Sequence, residues 1–484
     1  MKTLPAQGQK AADILQQLQD AKAQDLDWQS GRAMGFVYVP DPETQRVAKE
    51  AFMAFLTENG LDPTSFQSLL RLENDLVAMG AAHLRGDEHT VGNFTSGGTE
   101  SCMLAVKSAR DYAADRKGIT APEMVLPVTA HAAFHKAAHY FGIKKVLVPV
   151  DPETFKADLD AVRAAINENT VLIVGSAPAY AHGVADPIRE MGRIALERDV
   201  LFHVDGCIGG WLLPYMRRLG VDTPDFDFSV PGVTSISMDL HKYAYTPKGA
   251  SLVLYKSKEI RRYQIFTCPD WTGYTIINPT IQSSKSGGPL AAAWAVLHHI
   301  GDEGYLRMAK GVHEATQRFV QGVRAIPGLR VMGEPEMCLV AVTSDELDIF
   351  HVIDEMKVRG WYIQPQLAFG EYKENFHVSM QHSSVGLVDD MLAALRESVE
   401  AARKIPATGV GKNIAQMAQG IDPSTLTDEM LENLLKLAGI GGSAQQGLPD
   451  RLQQVNEILN NLPVELNGAL LTAYFNQMFT PTQD

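Results

Sequence analysis

Between about Asn59 and Tyr305, short apolar runs alternate with stretches that have helical spacing. Residues 171–174 and 251–255 have the length and aliphatic content of buried strands, whereas residues 188–198 have the spacing of an amphipathic helix. A chain that alternates in this way folds into a mostly parallel sheet with crossover helices. Functional groups of such sheets lie on the loops at the carboxyl ends of the strands. We therefore expect an α/β fold whose chemistry lies in those loops.

A lysine follows a histidine in segment 237–249, which reads Ser-Met-Asp-Leu-His-Lys-Tyr-Ala-Tyr-Thr-Pro-Lys-Gly. A buried Lys242 amine beside His241 can condense with an aldehyde cofactor to form a Schiff base. Because burial lowers the pKa of an amine toward neutrality, Lys242 is also the expected acid or base. One lysine is weak evidence, but three further segments complete a site suited to pyridoxal phosphate.

The first of these segments is 95–101, Thr-Ser-Gly-Gly-Thr-Glu-Ser, which precedes the apolar run 103–106. It is typical of a loop that enters a helix. Small residues let backbone N–H groups and hydroxyls approach a phosphate, which the positive end of the helix dipole also favours. A plain Gly-Gly turn is the alternative interpretation.

The other two segments supply an acid and an imidazole. Residues 200–205 form an apolar run that ends in Asp205, which could keep a pyridine nitrogen protonated; the alternative is an acid that caps the next turn. His131 follows a strand-like run and opens a helix, so its ring could stack on the pyridine. A helix cap or a surface histidine is the alternative there.

These motifs, together with 175–178, 182–183, 268–271, 279–281 and 286–288, resemble the sphingosine-1-phosphate lyase branch of the pyridoxal-phosphate-dependent group II decarboxylases. The resemblance runs from about Gly35 to about Lys404. It implies a fold type I homodimer that binds pyridoxal phosphate in an active site at the subunit interface.

The resemblance also implies residue roles. Lys242 would form the Schiff base, Asp205 would pair with the pyridine nitrogen, and His131 would stack on the ring. Lys248 would lie close to the anionic end of the substrate. The cofactor phosphate would be surrounded by Ser96, Gly97, Gly98, Thr99 and His241.

At the expected substrate site, one residue keeps the pattern of the lyase branch and two residues depart from it. In the lyase branch, a tyrosine and a histidine in an Asn-Pro-Leu-His-Pro-like segment contribute to the substrate phosphate site. The tyrosine corresponds to Tyr38, but segment 59–63 reads Asn-Gly-Leu-Asp-Pro, which puts Asp62 in place of the histidine. A carboxylate beside a phosphate costs on the order of 1 kcal/mol or more unless another cation intervenes. Lys285, in place of an arginine, keeps the charge but loses the bidentate fork. A substrate with a different tail is the simplest inference.

The motifs favour a carbon–carbon lyase that cleaves a small-molecule amine by retro-aldol chemistry. A group II amino-acid decarboxylase is the main alternative, and an aminotransferase is less favoured. A non-catalytic binding protein on this fold should have lost Lys242 or Asp205, and both are present. A dinucleotide-binding dehydrogenase should carry a Gly-x-Gly-x-x-Gly loop, which segment 96–99 does not match.

Charge and composition limit the partners. The formal net charge of −14, without a Lys/Arg cluster, argues against nucleic acid and anionic membrane surfaces. No run approaches the roughly 18 apolar residues of a membrane span, and the N-terminal residues lack the apolar core of a signal peptide. The four cysteines lie far apart in the sequence and lack the paired spacing of a metal site. We therefore expect that the protein binds no metal and that its thiols are reduced, as in a cytoplasmic protein.

The expected organisation has four parts. Residues 1–58 form an N-terminal arm, whose helical segment 10–19 would pack on the partner subunit, and residues 59–310 form the large cofactor-binding domain. Residues 311–405 form a smaller α+β domain. Residues 406–484 form a helical extension with apolar stripes over 430–437 and 448–462, for which packing across the dimer is one arrangement.

Overall fold

We describe the protein from a computed structural model. The structure describes residues 3–406 and 451–481, with isolated positions between them at 409, 411, 413, 416, 427, 430 and 433. Most of the predicted apolar stripe over 430–437 therefore lies outside the described residues.

The large sheet has seven strands in the order β1-β7-β6-β5-β4-β2-β3. Strands β2 to β6 are parallel to one another, and β7 runs antiparallel to both of its neighbours. Every residue of β2, β4, β6 and β7 is buried, which explains the apolar runs within β2, β4 and β7. The predicted mostly parallel sheet is confirmed. The strands are β1 Val91–Thr95, β2 Glu123–Pro127, β3 Lys144–Val148, β4 Thr170–Ser176, β5 Leu201–Asp205, β6 Ser235–Asp239 and β7 Ser251–Tyr255.

Helices pack against this sheet, and strands β8 and β9 pair as a separate short hairpin. The longest helix, α10, kinks at Gly301, where φ is 63°. The helices are α1 Ala11–Asp20, α2 Pro42–Ala54, α3 Gln67–His83, α4 Gly98–Lys117, α5 Ala132–Phe141, α6 Leu159–Ala165, α7 Ile188–Glu197, α8 Gly209–Arg218, α9 Lys258–Arg261 and α10 Gly288–Arg324; the hairpin strands are β8 Phe266–Cys268 and β9 Ile276–Asn278.

A second, antiparallel sheet follows, with the order β10-β11-β13-β12. Gly183 packs the two sheets closely: its φ is +70°, and an added Cβ would lie 2.1 Å from the carbonyl oxygen of Leu339. Helix α10 runs through the predicted boundary at 310, so the position of that boundary stays a prediction. The elements are β10 Arg330–Val331, β11 Leu339–Thr343, α11 Ile349–Val358, β12 Gln364–Gln366, β13 Asn375–Ser379 and α12 Val388–Ala402.

Two tail helices, α13 Gln453–Asn461 and α14 Val464–Met478, lie at the end of the described chain. The Asp354 carboxylate on α11 accepts hydrogen bonds from the backbone N–H groups of Leu452 (2.9 Å) and Gln453 (3.0 Å). A buried acid on one helix therefore satisfies donors at the start of another, as an N-cap residue does. The described tail is helical, as predicted, and α13 packs on α11 of its own chain.

Helix α1 buries none of its residues. Its apolar side chains Ile14, Leu15 and Leu18 are all exposed. Among the described residues, no helix combines the length and the apolarity that a membrane crossing requires.

Replacing Asp354 with Ala should loosen the tail helices, because two N–H groups at the start of α13 lose their acceptor. We expect the free energy of local unfolding of the tail helices to fall by about 1–2 kcal/mol, the usual cost of removing a cap. Hydrogen exchange of residues 453–478 would measure it. Asp389→Ala is the control, since that carboxylate is exposed and only pairs with Arg318; equal protection in both variants would contradict the role of Asp354.

Candidate active site

Lys242 lies in the turn that follows β6, at the floor of a cavity of about 230 Å³. Its Nζ atom is 2.9 Å from Oδ2 of Asp239, the last residue of β6. The Nε2 atom of His241 is 3.5 Å from the same oxygen, and its Nδ1 atom accepts a hydrogen bond from the backbone N–H of Ala250. The strand end therefore places an amine, an imidazole and a buried carboxylate in contact.

The charge state of this lysine differs from the sequence-based expectation. Burial is the largest single influence on the pKa of Lys242 and lowers it, but the Asp239 carboxylate together with Cys207, Tyr38 and Asp205 raises the pKa by more, so it lies above its ordinary value. The same ion pair holds the pKa of Asp239 well below its usual range, despite burial. The prediction that burial shifts the amine toward neutrality is wrong for this structure, because it took no account of a partner three residues earlier.

Asp205 ends the neighbouring strand β5 and lines the same cavity. Its Oδ1 atom accepts hydrogen bonds from the backbone N–H of Cys207 (3.0 Å) and from the hydroxyl of Ser237 (3.4 Å). The carboxylate thus caps the following turn and also faces the cavity. A turn cap and an acid that faces the cavity are therefore compatible interpretations of Asp205, because both of these hydrogen bonds go to Oδ1.

The loop before α4 approaches this carboxylate-rich floor closely. A Cβ atom added to Gly98 would lie 2.7 Å from both Asp239 oxygens, so a side chain there would force the buried carboxylate to move. Thr99 lines the cavity beside it, in the first turn of α4. The predicted loop that enters a helix is present, with the helix N-terminus at the cavity.

Ser96 is already engaged within the loop. Its backbone N–H (2.6 Å) and hydroxyl (2.7 Å) both donate to Oε2 of Glu100, whose Oε1 atom accepts from the backbone N–H of Ile281. Sequence reasoning did not single out Glu100. Its position four residues after Ser96, in the first turn of the helix, is the signal that could have identified it.

His131 occupies the N-cap position of α5, and its Nδ1 atom accepts from the backbone N–H of Ala133 at 3.2 Å. The ring also lines the Lys242 cavity. Tyr180, another residue that the sequence did not single out, contacts it edge-on with 6.4 Å between ring centroids. The Tyr180 hydroxyl donates to Oε1 of Gln364 on β12 at 2.6 Å. A link from the second sheet to this cavity could not be inferred from sequence spacing.

Tyr38 and Lys248 lie together beside a second cavity of about 430 Å³. The Lys248 ammonium is 4.9 Å from the centroid of the Tyr38 ring and donates to the carbonyl oxygen of Phe36 at 2.8 Å. Although part of the side chain contacts solvent, desolvation and then the charge of Lys242 lower the pKa of Lys248 to about 8. The Tyr38 ring also contacts Tyr243, the residue after Lys242, at 5.0 Å.

Asp62 lies apart from these residues, beside a third cavity of about 420 Å³ that Lys285 and Ser96 also line. Its carboxylate accepts from the backbone N–H and hydroxyl of Thr64 and from the hydroxyl of Ser65. These hydrogen bonds, led by the Thr64 hydroxyl, hold the pKa of Asp62 below its usual range. Within one chain, the structure does not bring Asp62 to the Lys242 cavity.

The residues around Lys242 fit pyridoxal phosphate. Among the described residues, Oδ1 of Asp239 is buried without a hydrogen-bond partner, which indicates a polar cavity floor that further donors can satisfy. Lys242, Asp205 and His131 bring to one cavity an amine, an acid and an aromatic ring, the kinds of group that could hold this cofactor, and Gly98 lines the same cavity without a side chain.

Comparisons with known proteins agree with this geometry. A family model described as the pyridoxal-dependent decarboxylase conserved domain matches residues 67–344, and a model of a C-terminal HTH domain of pyridoxal-dependent enzymes matches residues 412–477. Sphingosine-1-phosphate lyase of Arabidopsis thaliana is 44% identical over 417 residues, which are 84% of this chain and 75% of the relative. The corresponding enzyme of Oryza sativa is 41% identical, over 81% of this chain and 73% of the relative.

A solved structure of Burkholderia pseudomallei sphingosine-1-phosphate lyase is also similar. Its TM-score is 0.80 at 39% identity, and the match covers 88% of this chain and 97% of that chain. The fold predicted from the motifs is confirmed by this likeness. With the cofactor site assembled as described, the chain belongs to the pyridoxal-dependent decarboxylase family, as a sphingosine-1-phosphate lyase-like, pyridoxal-phosphate-dependent lyase.

Proposed function

We propose that the protein breaks a carbon–carbon bond by retro-aldol chemistry in an amine that carries a neighbouring hydroxyl, an anionic group and an alkyl chain. The observation that carries this proposal is the second cavity, where Lys248 and Tyr38 lie beside mostly apolar side chains such as Trp28 and Ala48. A cation next to an apolar cavity suits an amphiphilic anion. Decarboxylation of an amino acid needs no such cavity, so that alternative is less well supported.

Pyridoxal phosphate, when bound, supplies an aldehyde that binds the amine and a ring that withdraws electrons from the bond to be broken. Asp205 presents a buried carboxylate that can hold a proton on the ring nitrogen. His131 can orient the ring from the mouth of the cavity.

Lys242, in its ion pair with Asp239, can accept and donate a proton at the cavity floor. Lys242, when free of the cofactor, can take the proton of the substrate hydroxyl as the carbon–carbon bond breaks and can return it to the amine-bearing carbon after the aldehyde leaves, while the ion pair with Asp239 stabilises the charged amine in between. Asp239 stays charged throughout, since its pKa lies far below neutrality. The pair can therefore relay one proton from the substrate hydroxyl to the amine-bearing carbon.

The relatives are named for sphingosine-1-phosphate, and we infer a phosphorylated long-chain amino alcohol for this chain too. Asp62 is a smaller obstacle to a phosphorylated substrate than its position in the sequence suggests. Its charge is taken up by donors within its own turn, and Lys285 supplies a cation beside the same cavity.

We propose further that two copies of the chain form a homodimer, with the active site at their interface. Helix α1 has no buried residue, and the β8–β9 hairpin presents an apolar surface next to the loop that holds Ser96 and Glu100. Exposed apolar surface of this kind marks an interaction site. The exposed side chains of this hairpin surface are Phe266, Trp271, Tyr274, Ile277 and Ile281.

We place the protein in the cytoplasm. Its four cysteines are free, which suits a reducing compartment. Fractionation of cells that express the tagged protein would test this, and recovery with membranes would contradict it.

Incubation with sphingosine-1-phosphate should release a long-chain aldehyde without carbon dioxide, because the broken bond lies between the amine-bearing and hydroxyl-bearing carbons. Lys242→Ala should remove both turnover and the absorbance of bound cofactor, and serves as the control. Parallel assays of aldehyde and carbon dioxide over a panel of amines and amino acids decide the matter. Carbon dioxide and an amine from an amino acid would instead identify a decarboxylase.

Lys248 should make substrate affinity depend on pH. Its ammonium binds the anionic group below about pH 8 and loses the proton as the pH rises through that value, so affinity falls on the alkaline side. We expect KM to rise roughly tenfold from pH 7 to pH 9, since one pH unit above a pKa leaves about a tenth of the group charged. Lys248→Arg should flatten this rise, because a guanidinium stays charged, whereas Lys248→Gln should raise KM throughout. Identical profiles for the three proteins would exclude the role.

Light scattering should give twice the mass of one chain. A carboxylate within the hairpin surface should disfavour association, so we expect Ile277→Asp to shift the protein toward single chains and to lower activity. Leu196→Asp places the same charge at an exposed leucine of α7 and should leave the mass unchanged. A dimer that persists in Ile277→Asp would show that the hairpin surface is not the interface.

A further inference from the structure

Two cysteines that are distant in sequence meet beneath the Lys242 cavity. Cys102 lies on α4 and Cys207 follows the end of β5, and both are buried. Both thiols donate toward the same acceptor, the hydroxyl of Ser237 on β6, at 3.6 Å and 3.2 Å. The sequence predicted no metal site because the cysteines show no paired spacing. The fold creates the pair by packing α4 against β5 and β6.

Asp205 completes a set of three ligand atoms. The two sulfur atoms and one carboxylate oxygen all lie within 4.8 Å of one another. Zinc binds thiolates at about 2.3 Å and carboxylate oxygens at about 2.1 Å, which places the ligands of a tetrahedral ion roughly 3.5 Å apart. A small inward movement of these side chains therefore produces the geometry of a metal site.

The type of ligand selects the type of cation. Two thiolates with one carboxylate favour zinc, cadmium and similar thiophilic ions over magnesium or calcium, which prefer oxygen ligands. The site also has a route of entry, since Cys102, Asp205 and Cys207 all line the Lys242 cavity.

We propose that Cys102, Cys207 and Asp205 form a binding site for one thiophilic divalent cation, and that this cation competes with the cofactor. Each thiol releases a proton to solvent as its sulfur binds the ion, and no electron transfer is involved. Competition follows because the cation and the cofactor would both draw on the Asp205 carboxylate within one cavity of about 230 Å³. That second step depends on the proposed role of Asp205, whereas cation binding itself does not.

Titration of the purified, cofactor-loaded protein with cadmium chloride tests both steps. The ultraviolet charge-transfer band of cadmium thiolates reports binding, and the visible absorbance of the bound cofactor reports displacement. We expect one cadmium per chain, with cofactor absorbance lost as the band grows. Excess pyridoxal phosphate should weaken cadmium binding by the same factor, because the two are linked.

Variants separate this site from the other thiols. Cys268→Ser combined with Cys338→Ala keeps only the proposed pair and should bind cadmium like the unmodified protein. Cys102→Ser and Cys102→Ala should each weaken binding at least tenfold while they still load cofactor, which shows that they fold. Cadmium binding that survives in both Cys102 variants, or that is absent from a folded wild-type protein, would overturn the site. A cadmium band that grows with unchanged cofactor absorbance would overturn the competition.

Discussion

The buried ion pair between Lys242 and Asp239 is the interaction on which the active site depends. An isolated charge in a protein interior costs several kcal/mol, and removing one partner of a buried pair costs roughly 3–5 kcal/mol because the other charge remains. Both residues are fixed by the end of one buried strand and the turn after it. The pair keeps the amine charged in surroundings that would otherwise neutralise it, which gives the site a defined protonation state before any ligand binds.

The rest of the site is arranged around that pair by sheet order. Strands β5 and β6 are parallel neighbours, so their ends place Asp205 and Asp239 on the same edge. Helix α4 begins against this edge, where a side chain at position 98 would displace the Asp239 carboxylate. The second glycine of the Gly-Gly sequence is therefore explained by the carboxylate that packs behind it.

Much of this arrangement can be predicted from the sequence, and the parts that cannot be predicted have identifiable physical reasons. The apolar run that ends in Asp205 predicts a strand end at the functional edge of the sheet, because parallel strands share their carboxyl side. The charge of Lys242 and the meeting of Cys102 with Cys207 depend instead on contacts between elements whose order a pattern does not reveal. Asp62 shows the same limit, since its carboxylate is bound by the turn that its own sequence forms, a contact that comparison of motif positions does not show.

The hydrogen bond between Tyr180 and Gln364 has a consequence for motion between the two sheets. Tyr180 touches His131 on one side and, on the other, both β12 and the ring of His377 on β13, so a displacement of the second sheet can reach the cavity through this side chain. One such bond is worth about 1 kcal/mol, which limits the coupling it can transmit to roughly a fivefold change in an equilibrium. The second sheet can thus adjust how firmly a ring is held in the cavity, but through this contact it cannot act as an on–off control.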